Sequence, residues 1–224
     1  MNITRRKLSQ NTLTLLFSNS GSALLSFALS ALIGRALGQE GLGIYAAALA
    51  WIFPLSLMAD FGLNTLITRD LAQYPEAEYS YLRVAIYQRL VMGGVLMLSA
   101  ILAAPLLSEN LRVIQGIIIS APLILITPLF SMFTAVFRAR QCMWPIAALN
   151  LGMLVVQVSA TAAIFAWGYG VITALAVNTL TSAGQLATAW GLWRWLSSDG
   201  KHIAIHIGIR ETISKAGVFA IAAV

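Results

Sequence analysis

The chain has 224 residues, 59% of them hydrophobic and only 10% charged. Soluble domains carry roughly a quarter charged residues, so this composition excludes an ordinary soluble fold and points to an all-α integral membrane protein. The net charge of +6 includes no basic run beyond Arg5-Arg6-Lys7, which argues against a nucleic-acid partner, and the single cysteine excludes an intrachain disulfide.

Residues 1–10 read as a cytoplasmic N-terminus. The apolar run that follows, to Gly34, is too long and too rich in Ser and Asn for a cleaved signal peptide, so it is an uncleaved first span. Hydropathy predicts six transmembrane helices of roughly 20 to 27 residues, enough for a ~30 Å hydrocarbon core. They fall at Asn11–Leu37, Gly43–Thr68, Tyr81–Leu107, Leu111–Phe137, Met143–Trp167 and Val171–Leu196. Together they make a six-helix lobe over 11–196, followed by a cytoplasmic or interfacial connector at 197–212 and the start of a truncated seventh span at 213–224. Short loops make consecutive helices antiparallel neighbours. Of the 14 Lys and Arg residues, all but Arg35 and Arg112 fall on the N-terminal side of this topology. The positive-inside rule therefore places the N-terminus in the cytoplasm.

The first span carries Ser18, Ser22, Ser26, Ser30 and Gly34 at four-residue spacing. That pattern is either a ridge for close helix packing or, with Asn19, a polar wall facing a cavity. Gly38, Gly41 and Gly43 suit a tight turn between the first two spans, because glycine adopts positive φ freely. Asp60 then sits inside the second span, nine residues before Arg69 and so about 13 Å from the cytoplasmic end. An ionisable group in a bilayer is costly and is by default a functional candidate. Arg89 enters the third span to about the same depth, and an Asp60–Arg89 ion pair with Asn64 one turn away is the natural arrangement. It is either a structural pair or a site where Arg89 meets a phosphate, a group that suits guanidinium geometry. Arg35 either snorkels to the interface or touches substrate.

Pro122 and Pro128 should bend the fourth span. Gln157 and Asn178 come to similar depth on adjacent helices and invite an interhelical hydrogen bond or a sugar contact; Asn150 and Gln185 are similar. His202 and His206 are too few for a metal site. No nucleotide loop, nucleophile elbow or metalloprotease motif is present, so the sequence predicts neither an enzyme nor a cofactor.

The stretch Arg-Ala-Leu-Gly-Gln-Glu-Gly-Leu-Gly-Ile-Tyr45, then Ala59-Asp-Phe-Gly-Leu, then Arg69-Asp-Leu-Ala72, resembles the polysaccharide (O-antigen-type) flippase family of the multidrug, oligosaccharidyl-lipid and polysaccharide exporters. The resemblance implies a carrier in the bacterial inner membrane that moves a lipid-linked oligosaccharide of the undecaprenyl-pyrophosphate type by alternating access, in contact with membrane lipids. The candidate substrate contacts are Asp60, Asn64, Arg89 and Asn19, read from their depth and polar faces, and Arg35, the matched arginine of the family turn. Family members carry twelve or more spans, so a second lobe is expected from a C-terminal continuation, a separate chain or a homodimer partner. The alternatives are a multidrug or small-cation exporter of the same superfamily, or a non-transporting membrane scaffold or inactive fragment.

Overall fold

A computed structural model describes residues 2–60 and 62–197, with side chains from residue 11 onward. The described residues are helical and contain no strand. The helices are α1 (Asn2–Asp60), α2 (Leu63–Gln73), α3 (Glu78–Leu107), α4 (Leu111–Ser120), α5 (Leu123–Ala139), α6 (Trp144–Ala166) and α7 (Val171–Ser197), with a 3-10 turn at Pro75–Ala77 between α2 and α3. The expected connector beyond Ser197, the seventh span and the two histidines lie outside the described residues.

By length and composition, four stretches can cross a membrane: Asn11–Gln73, Pro75–Leu107, Leu111–Ala139 and Trp144–Ala166. The first spans 63 residues, roughly 95 Å if straight, but it is folded back at Gly38. There φ is 70° and ψ −170°, a backbone region essentially restricted to glycine. Helical geometry resumes at once, so Gly38 alone makes the turn. The wider turn expected from Gly41 and Gly43 does not form, because both lie within the second arm of α1.

Side-chain contacts show that the chain doubles back. Near the start of the first arm, Asn11 Nδ2 donates to the carbonyl of Gln141 at 3.0 Å. After the second arm, Thr68 Oγ1 reaches the carbonyl of Ala135 at 3.5 Å. Both partners belong to the C-terminal end of α5 or the turn after it. The opposite end of the bundle holds the Gly38 turn, where Glu40 pairs with Arg112 at 3.7 Å.

Two expected continuous spans are broken. The second ends its first segment at Asp60 and restarts at Leu63, with Gly62 in the left-handed region at φ 72°. In the fourth, the proline does more than bend the helix. Pro122 has no N–H to continue the ladder, so α4 stops at Ser120 and α5 begins at Leu123.

The interior divides into two apolar clusters. One, at the Asn11 end, includes Leu63, Ile67, Leu82, Met132, Phe137 and Ile146. The other includes Ile44, Ile52, Ala59, Ile117, Ile124 and Leu175. The outer surface is also apolar: Phe17, Leu102 and Leu106 are 76%, 77% and 88% exposed. Water would penalise such a surface, whereas lipid tails do not.

Candidate functional site

Asp60, Asn64, Arg89 and Ser131 meet where the two apolar clusters join. The break after Asp60 places its carboxylate at a helix end, and Asn64, four positions on, is the second residue of α2. Arg89 Nη2 donates to Asp60 Oδ1 and to Asn64 Oδ1 at 2.8 Å. Asn64 Nδ2 donates in turn to Asp60 Oδ2 at 3.0 Å and to Ser131 Oγ at 2.9 Å. Ser131 Oγ donates to the carbonyl of Pro128 at 2.8 Å. The four side chains thus link α1, α2, α3 and α5.

The guanidinium is unequally used. The Arg89 side chain is 0% exposed, that of Asp60 20%. Nε and Nη1 of Arg89 are buried without a hydrogen-bond partner, as is Oε1 of the adjacent Gln88. A buried donor left unpaired costs about 1–3 kcal/mol, more when charged. Asp60 has both oxygens engaged, which offers little to a small cation.

A second Arg–carboxylate site, unforeseen from sequence, lies at the Asn11 end. Arg140 forms a two-point contact with Glu78, Nε to Oε2 at 2.9 Å and Nη2 to Oε1 at 2.7 Å. Trp193 Nε1 also donates to Glu78 Oε1 at 2.7 Å, and Arg140 Nη2 reaches Ser197 Oγ at 2.9 Å. This network clasps the start of α3, the turn after α5 and the end of α7. Its members are scattered over 119 positions, so no local pattern announces it.

A neutral polar cavity of about 320 Å³ opens between the first arm of α1, α6 and α7. Four amides line it: Asn19, Asn150, Gln157 and Gln185. Ser22, Thr181 and Ser182 add hydroxyls, and Met153 and Leu154 an apolar wall. Gln185 Nε2 donates to Asn150 Oδ1 and Gln157 Nε2 to Asn178 Oδ1, each at 3.0 Å, so both expected amide pairs form between α6 and α7. The structure therefore groups Asp60, Asn64 and Arg89 but puts Asn19 in this separate cavity. Arg35 is exposed near the Gly38 turn, apart from both.

A family model for polysaccharide biosynthesis protein matches residues 8–224. The chain belongs to the polysaccharide biosynthesis protein family. All four residues of the charged cluster, and all that line the neutral cavity, fall in the matched segment of this family member. The chain is also 27% identical, over 192 residues, to stage V sporulation protein B of Bacillus subtilis (strain 168). That alignment covers 80% of this chain and 37% of the relative, so the chain spans well under half of that relative's length. No solved structure matches it.

Proposed function

We propose that this family member is one lobe of a membrane transporter that flips a lipid-linked oligosaccharide from the cytoplasmic to the outer leaflet of the inner membrane, by transport rather than catalysis. The observation that carries the reading is Arg89: a fully buried guanidinium whose Nε and Nη1 edge has no partner, beside a carboxylate that is partly exposed. In the resting arrangement Asp60 and Asn64 hold the cation. When α3 moves relative to α1 and α5, a pyrophosphate displaces Asp60 and takes the free edge, since guanidinium matches phosphate in two-point geometry. Both Asp60 oxygens are engaged, which favours an anionic headgroup over a small cationic drug.

In this reading the chain crosses the bilayer six times, with the two arms of α1 as separate crossings and α7 as the last. The middle of α7 carries Asn178, Thr181, Ser182 and Gln185, which lowers its hydropathy. Arg69, Arg83, Arg138, Arg140 and Arg194 gather at the Asn11 end, and Arg35 and Arg112 at the other, which supports a cytoplasmic N-terminus. Asn19, Ser26 and Ser30 are exposed along one flank of the first arm. Polar groups facing lipid are costly, so a second lobe covers this flank.

The test is reconstitution with a second lobe in proteoliposomes, following exposure of a fluorescent lipid-linked oligosaccharide at the outer leaflet. Replacing Arg89 by Met together with Asp60 by Leu, which avoids a stranded charge, should cut flipping by at least about tenfold, or 1.4 kcal/mol in barrier. Full flipping by that double variant would remove the cluster from the mechanism.

A further inference from the structure

We propose that the cavity between the first arm of α1, α6 and α7 is a subsite for a neutral, hydroxyl-rich sugar. The proposal rests on the flippase reading for its biological setting, but its evidence is the chemistry of the cavity itself. Among the described residues, none of those lining it is ionisable. A phosphate or carboxylate entering it would lose water and find no cation, and an ammonium group or metal ion would find no anion. Either charged ligand is therefore disfavoured by desolvation.

A sugar ring asks for the opposite. Each hydroxyl donates once and accepts twice, so it needs donors and acceptors close together. The amide pairing leaves this mixture. Gln185 spends an N–H and Asn150 its oxygen on each other, which leaves the Asn150 NH2 and the Gln185 oxygen as neighbouring donor and acceptor. Asn19 adds a further amide from α1, and Ser22, Thr181 and Ser182 add rotatable hydroxyls. Gln157 is held by Asn178, as Gln185 is by Asn150. The wall is thus ordered before a ligand arrives, which reduces the cost of binding. Met153 and Leu154 supply a face for the ring's C–H groups. The volume of about 320 Å³ lies at the small end of small-molecule sites, about 300–1,000 Å³, which suits a short saccharide unit rather than a lipid chain.

This cavity shares no residue with the Asp60–Arg89 cluster. The two sites divide the labour: the charged cluster answers to phosphate and the neutral cavity to sugar.

Saturation-transfer NMR on the purified chain in a sugar-free detergent tests the subsite. The probes are methyl glucoside, galactose and N-acetylglucosamine, set against glucuronate and glucosamine, all at roughly millimolar concentration. Neutral sugars should give the signal, and at least one should lose about fivefold or more of it in both Asn19→Leu and Gln185→Leu. Asn19 is exposed, so its variant should keep the wild-type unfolding temperature even if the Gln185 variant folds poorly. No signal from neutral sugars, equal signals from charged ones, or an unchanged signal in Asn19→Leu would overturn the proposal. Parallel flipping assays separate the two readings. Flipping without sugar binding rejects the subsite and keeps transport; sugar binding without flipping keeps the subsite and counts against transport.

Discussion

Two arginine–carboxylate pairs in this bundle use the same chemistry to opposite ends. Arg140 meets Glu78 at two points, and the carboxylate is further held by Trp193. That arginine is 33% exposed and sits at the end of the bundle. Arg89 meets Asp60 through a single nitrogen, is wholly buried, and leaves Nε and Nη1 unclaimed. A saturated pair at a surface is a clasp, because nothing remains for a ligand to satisfy. An unsaturated pair in an apolar interior leaves donors that a ligand could satisfy, and the protein bears the cost of burying donors that it does not itself use.

The contrast predicts a graded set of outcomes. The largest belongs to Asp60→Leu, which strands Arg89 where it cannot turn to solvent. Breaking a buried pair costs about 3–5 kcal/mol, read as a drop in the denaturant or thermal midpoint in detergent. The Asp60→Leu/Arg89→Met double variant should recover most of that loss, with a clear coupling energy in the cycle; additive losses would mean that the two side chains are independent. Glu78→Ala should cost less, about 2–3 kcal/mol, since Arg140 can rotate toward water although Trp193 loses its acceptor. A larger effect there than at Asp60 would invert the comparison.

Arg140→Lys keeps the charge but loses the two-point fit, and should cost about 1–2 kcal/mol with transport intact. Ser131→Ala is the smallest stability change, about 1 kcal/mol, because it removes a neutral hydroxyl that accepts from Asn64 and donates to the Pro128 carbonyl. It sharpens the comparison because the only side chains its hydroxyl meets, Asn64 and Asp60, belong to the Asp60–Arg89 cluster, so transport should fall more than stability does.

Much of the charged site was legible from depth alone. Asp60 and Arg89 lie on spans that the sequence makes adjacent and antiparallel, at matching distances from one end, and rise per residue is a local property that sequence carries directly. Asn64 followed from the helical repeat. Ser131 did not: it arrives from α5, 71 positions from Asp60, and only packing brings it near. The Glu78–Arg140–Trp193 clasp was missed for the same reason. The break at Asp60–Leu63 was hidden because a single glycine in an apolar run is usually tolerated, and only the packed structure reveals which glycine takes positive φ. The same holds for Gly38, which turns the chain while Gly41 and Gly43 stay helical.

Composition and periodicity act residue by residue, so the helical, membrane-like character of the protein and its family motif are readable along the chain. Which polar groups are satisfied emerges only when the helices pack. Whether a buried guanidinium has spare donors, or a set of amides lines a common cavity, depends on side chains from several helices converging at one point, and no single stretch of sequence contains that convergence.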